Sequence, residues 1–96
     1  MGNAMSYIKV KNKKSTSDKV PPDGSGNWLE FWEKQKHAKA SQCEVFGCRG
    51  KPEVGGHVIK AGDGGKEYIL PICKACNNKP DGEVFEAWEN DLVSVK

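Results

Sequence analysis

The sequence predicts a small α+β domain: an amphipathic helix, a β-hairpin and a second short helix, preceded by a basic tail. Three observations carry that expectation. Aromatic residues recur at helical spacing over positions 28–32, a glycine-rich turn joins two β-prone runs between 54 and 72, and four cysteines fall as two close pairs. The chain has 96 residues, 36% hydrophobic and 29% charged, which leaves room for one domain and no apolar run near the ~20 residues that a membrane span requires. Neither a multidomain enzyme nor a membrane-spanning protein is expected.

Residues 1–26 read as a flexible basic arm. They carry five lysines (Lys9, Lys11, Lys13, Lys14, Lys19) against two aspartates (Asp18, Asp23), and one aromatic residue, Tyr7. The arm is therefore +3, and with the whole chain at +2 the remaining residues 27–96 come to −1. Too little apolar surface is present to offset the entropy of ordering such a segment, although Tyr7, Ile8 and Val10 could add a short strand. The opening Met1-Gly2-Asn3-Ala4-Met5-Ser6 fits the M-G-x-x-x-[ST] pattern of N-terminal myristoylation. Lys9, Lys11, Lys13 and Lys14 would then supply the second, electrostatic signal that a single acyl chain needs. Such a short pattern also arises by chance, and the arm reads first as a solvated tail. Its first ten residues lack the roughly 7–15-residue apolar core of a secretory signal, so a reducing, cytoplasmic setting is expected.

The folded part is expected to begin at Asn27, with residues 27–96 forming one domain. Asn27 followed by Glu30 resembles a capping box, and Trp28, Phe31 and Trp32 recur at i, i+3, i+4, with Glu30, Glu33, Lys34 and Lys36 on the other face. This predicts an amphipathic helix of about 12 residues whose aromatic stripe is core. His37, at its polar end, reads as a surface residue. Downstream, Val54–Lys60 and Lys66–Ile72 flank the glycine-rich turn 61–65 and predict a hairpin. Alternation places Tyr68, Leu70 and Ile72 on one face of its second strand, with Glu67, Ile69 and Pro71 on the other. Pro71 cannot donate to a ladder, so it must face an edge or mark the strand end. Gly55 and Gly56 imply a bulge or a close backbone approach. A helical turn follows from Cys73, cut short by Pro80 and the turn at Asp81 and Gly82. Glu83 to Asn90 is expected to resume as helix, with Phe85 and Trp88 at i, i+3 beside Val84, and 92–95 alternates as a short closing strand.

At about 70 foldable residues a hydrophobic core seldom suffices alone, and natural domains add a metal or disulfides. Cys43-x4-Cys48 and Cys73-x2-Cys76, separated by 24 residues, have the paired spacing that lets four thiolates surround one Zn²⁺ at ~2.3 Å. Gly47 permits the positive φ of a knuckle, and a helix N-terminus after Cys73 favours thiolate. Four thiolates leave the centre at net −2, with Arg49, Lys51, Lys74 and Lys79 close in sequence to screen it. One structural zinc held by Cys43, Cys48, Cys73 and Cys76 is the expectation. An iron–sulfur centre also takes four cysteines.

Knuckle, hairpin and then a helix beginning with the second cysteine pair is the order of a treble-clef zinc finger, here over about residues 43–79. Gly56-His57-Val58-Ile59 and Ile69-Leu70-Pro71-Ile72-Cys73-Lys74-Ala75-Cys76-Asn77 resemble the HNH endonuclease family, in its branch with a four-cysteine structural zinc. The resemblance implies His57 as general base for phosphodiester hydrolysis and Asn77 as a ligand of a second divalent cation such as Mg²⁺. Physically, an imidazole titrating near neutrality can activate water and a hard cation can polarise a phosphate. The sequence departs from that family's pattern: Tyr68 stands where its middle Asn would be, Gly56 where an acidic or histidine residue precedes the base, and Lys79 is shifted one position early. Asp63, Glu67 or a substrate phosphate would have to complete the oxygen shell that a hard cation prefers. The function expected is therefore a noncatalytic zinc module that binds protein or nucleic acid, with an HNH-type nuclease using His57 and Asn77 as the alternative.

Overall fold

The computed structural model of the protein describes residues 6–13, 21, 24–62, 66–79 and 83–95. Five strands form one antiparallel sheet: β1 (Tyr7–Asn12), β2 (Val54–Lys60), β3 (Glu67–Ile72), β4 (Val84–Trp88) and β5 (Val93–Ser94), in the order β4-β1-β2-β3-β5. Helix α1 (Trp28–Lys36) lies across β2, β3 and β5, and a four-residue helix α2 (Lys74–Asn77) follows β3. The result is a small α+β fold with the cysteines gathered on one side of the sheet and α1 on the other.

Residues 7–12 correct the expectation of a flexible arm. They form strand β1, which sits inside the sheet between β4 and β2, pairing Tyr7 with Trp88 through Lys11 with Val84 on one side and Val10 with Lys60 on the other. The reason lies in its alternation: Val10 is fully buried and Asn12 nearly so, while Tyr7 and Lys9 face out. Three apolar or aromatic residues, Tyr7, Ile8 and Val10, would not order this segment alone, but two neighbouring strands satisfy its backbone hydrogen bonds. Pro21 and Ser25 are also buried. The first five of the six residues in the acylation pattern, and Lys14 and Lys19, lie outside the described residues.

A second correction concerns Glu83–Asn90, expected as helix. Val84–Trp88 is strand β4, followed by a 3-10 turn over Glu89–Asp91. Exposure runs with a period of two: Val84 and Glu86 outward, Phe85 and Ala87 inward. The spacing of Phe85 and Trp88 suggested a helical face, yet β1 offers a full-length partner, and β-prone residues in a short run follow the available pairing. Val45 bridges to Ala87 on the outer edge of β4.

The hairpin forms as read, with unbroken pairing from Val54↔Ile72 to Ile59↔Glu67. Asp63, Gly64 and Gly65 of its turn, and Pro80, Asp81 and Gly82 after α2, lie outside the described residues. Both faces of β3 are covered: Leu70 and Ile72 join Val10, Val58, Phe85 and Ala87 in one cluster, and Ile69 joins Phe31 and Trp32 in another. Pro71 lies beyond the reach of β5, and its carbonyl instead accepts the Glu44 N–H at 2.9 Å. With the ladder unbroken, close approach rather than a bulge accounts for Gly55. A Cβ there would meet the Trp28 carbonyl carbon at 2.5 Å, so the first turn of α1 rests directly on the β2 backbone.

α1 starts as its sequence indicates. Asn27 Oδ1 accepts the Glu30 N–H at 2.8 Å, and the Glu30 carboxylate accepts the Gly26 N–H at 2.7 Å, one residue before the cap. The helix is nine residues long rather than about 12, because exposed His37 turns left-handed (φ 56°) and caps it. Trp32 Nε1 donates to the Asp91 carbonyl at 2.8 Å, and Lys36 pairs with the Asp91 carboxylate at 3.4 Å. Beside them Glu44 is half-buried and its pKa is pushed up to about 8, by burial first and then by the neighbouring Asp91, with Lys36 partly offsetting both.

Two outcomes test this packing. Gly55→Ala should cost about 1–3 kcal/mol in urea denaturation, since neither backbone can yield to the added methyl; an unchanged midpoint would mean that α1 is not seated on β2. Glu44 has a folded pKa above its unfolded value of 4.5. Its stabilising contribution is thus complete below that value and lost as pH rises through about 8, because the unfolded chain gives up the proton first. Glu44→Gln should therefore gain stability over the parent between about pH 5 and pH 8, and an advantage that does not grow across that window would contradict the burial.

Candidate metal centre

The first cysteine pair is shaped by its own loop. Cys48 N–H donates to the Val45 carbonyl at 2.9 Å, Cys43 N–H to the Gly50 carbonyl at 2.9 Å, and Gly50 N–H to Cys48 Sγ at 3.4 Å. Gly47 adopts φ 87°, the left-handed conformation that its place in the knuckle calls for. The second pair is placed by the end of β3: Cys73 is the N-cap of α2 and accepts the Asn77 N–H through its carbonyl at 3.0 Å, while Cys76 lies one turn on.

The four Sγ atoms of Cys43, Cys48, Cys73 and Cys76 all lie within 4.8 Å of one another. No disulfide joins them; the Cys48 and Cys73 sulfurs are 3.8 Å apart, far beyond a bonded S–S of ~2.05 Å. A tetrahedron of sulfurs at ~2.3 Å from a central ion has edges of ~3.8 Å, so the donor set fits one ion. Cys43, Cys73 and Cys76 are buried and Cys48 is half-buried. Burial raises the Cys43 and Cys76 thiols above the ordinary value, whereas the Cys76 backbone N–H, donating to Cys73, lowers that one. A bound cation replaces the protons and removes the cost of burying thiolate. Of the four expected screening cations, Arg49, Lys51 and Lys74 are exposed and Lys79 is tied to Glu83 at 3.1 Å.

A supporting residue escaped the sequence reading. Asn12, the last residue of β1, donates through Nδ2 to the Cys76 carbonyl at 2.9 Å and the Lys79 carbonyl at 3.3 Å. It thereby anchors the end of α2 to the middle of the sheet and holds the second cysteine pair in place. The signal was present in the chain, since Asn12 shares the inward phase of Ile8 and Val10.

His57 and Asn77 are not brought together. His57 lies on the α1 face of β2, its ring edge-on to Trp28 with centroids 4.7 Å apart and its Cα opposite Ile69. Asn77 Oδ1 lies on the other face, where a Cβ on Gly56 would meet it at 3.0 Å and Ile72 Cδ1 at 2.4 Å. Adjacent strand residues point to opposite sides, so the sheet itself separates the two. Tyr68 is on the cysteine face and Glu67 is half-buried.

Fold and site together define a small α+β domain with four cysteines placed to hold one metal ion. No family model matches the chain, and neither a curated protein nor a solved structure is significantly similar to it. Among the described residues no helix is long and apolar enough to cross a membrane.

The centre should bind one ion per chain. Chelation should abolish cooperative unfolding, because binding free energy of order 10 kcal/mol in comparable sites is folding free energy. Cys73→Ser should do the same, and tertiary NMR dispersion surviving in either case would contradict a structural ion.

Proposed function

We propose that the chain is a zinc-stapled, noncatalytic interaction module of treble-clef type. The observation that carries this reading is the meeting of the four cysteine sulfurs around one point. Zn²⁺ suits an all-thiolate tetrahedral set with no open position, which makes a structural rather than a reactive centre. A cluster of two or four irons would hold its thiolates farther apart than one ion does. The knuckle from Cys43 to Cys48, the β2–β3 hairpin and α2 starting at the second pair follow the treble-clef order.

The opposite placement of His57 and Asn77 speaks against the nuclease alternative. A general base and the ligand of a catalytic cation must act on one phosphate within a few ångströms, and here a sheet lies between them. His57 is instead a packing residue against Trp28. An interaction role suits a domain whose metal site is closed and whose described helices leave β1 and β4 uncovered on one side.

Metal analysis of protein purified under reducing conditions, with a nuclease assay in Mg²⁺ or Mn²⁺, tests the reading. The expected result is one zinc and no cleavage above that of His57→Ala. Metal-dependent cleavage lost in both His57→Ala and Asn77→Ala, with zinc retained, would overturn it.

A further inference from the structure

The large hydrophobic side chains left exposed among the described residues are Phe46, Val84 and Tyr7, at 56%, 47% and 39%. All three sit on one surface. α1 covers β2, β3 and β5, and the same side of β1 and β4 lies beyond it. Along β1 the outward positions are Tyr7, Lys9 and Lys11, with exposed Lys13 continuing the alternation. Opposite them on β4 are Trp88, Glu86 and Val84. Tyr7 lies between two rings, 4.2 Å from Trp88 at a 34° tilt and 4.4 Å from Phe46 edge-on. A cavity of about 490 Å³ opens beside this stack, lined among others by Gly47 of the knuckle and by Gln42 and Arg49 on either side of it.

We propose that this half of the sheet, which no described helix covers, binds single-stranded nucleic acid, bases stacking on the Phe46–Tyr7–Trp88 cluster and phosphates running along Lys9, Lys11 and Lys13. The inference rests on the reading of the chain as a noncatalytic interaction module. Charge complementarity selects the occupant. Lys9 and Lys13 are exposed, Lys11 between them is half-buried, and Arg49 at the aromatic end is exposed, against Glu86 and the half-buried Glu44 as the acidic groups on this side of the sheet. An aromatic platform beside a basic track accepts every base by its π-face and the backbone by its charge. Side chains two apart on a strand repeat at about 6.8 Å, which aligns the lysines with an extended backbone. A duplex hides its base faces and could use only the lysines. The segment's alternation thus serves both sides of the sheet: Ile8, Val10 and Asn12 hold the core and metal centre, and Tyr7, Lys9 and Lys11 form the surface.

The test is fluorescence anisotropy of the full zinc-loaded chain with a labelled oligothymidylate or oligouridylate and with a duplex of equal length, across a salt series. Tighter binding of the single strands is expected. Phe46→Ala, at an exposed position, should weaken that binding at least ~10-fold, and Lys9→Gln with Lys11→Gln should flatten the log–log salt slope by about 1.4. NMR shifts on titration should centre on Tyr7, Lys9, Phe46 and Trp88. Zinc content and NMR dispersion are measured on the same samples. Absence of binding by a folded, zinc-loaded chain at low salt, equal affinity for duplex, or indifference to Phe46→Ala overturns this inference and leaves the module reading standing.

Discussion

Four sulfurs must converge on one point from two segments that lie 24 residues apart in the chain, and most of the architecture follows from that requirement. The knuckle can preset Cys43 and Cys48 by local hydrogen bonds and one left-handed glycine. Nothing local can bring Cys73 and Cys76 to them. That task falls to the hairpin, whose return strand β3 ends at Cys73, and to the Glu44 N–H on the Pro71 carbonyl, which ties the knuckle to the end of the same strand. A chain this short has little core to spare, so a metal that contributes folding free energy is physically apt.

The sheet then divides the molecule into two packing problems. On the cysteine side, Val10, Val58, Leu70, Ile72, Phe85 and Ala87 pack with Cys43, Cys73 and Cys76 in one buried apolar cluster, and that burial is what raises the Cys43 and Cys76 thiols. On the other side, Phe31 and Trp32 press on Ile69, and contact is close because Gly55 lets the helix backbone touch the strand. Because β1 and β4 extend the sheet past α1, no described helix covers that part of it. A single helix of nine residues, about 13–14 Å long, cannot span five strands at about 4.8 Å spacing.

Much of this was legible in the chain. The amphipathic helix and its Asn27 cap, the hairpin, the face assignments of Tyr68, Ile69, Leu70 and Ile72 and the grouping of four cysteines fit to hold one ion all follow from spacing and local stereochemistry, while Gly55 and Gly56 left a bulge and a close approach equally open. Each depends on residues within a few positions of one another, or on cysteine chemistry that has few alternatives. The two misread segments share a cause. Residues 7–12 looked too polar to order and 84–88 looked helical, yet each is the other's principal partner. Either alone is a marginal strand; together they complete the sheet.

The sequence by itself determined the knuckle, the cap, the hairpin and which four side chains could hold a metal ion, because short-range sterics and donor type decide those. Tertiary structure alone decided that β1 belongs to the core, that Asn12 braces the metal centre, and that His57 and Asn77 lie on opposite faces of a sheet. Strand pairing is a non-local choice in which the register of one segment is set by a distant one, and a one-residue change of phase moves a side chain from one face to the other.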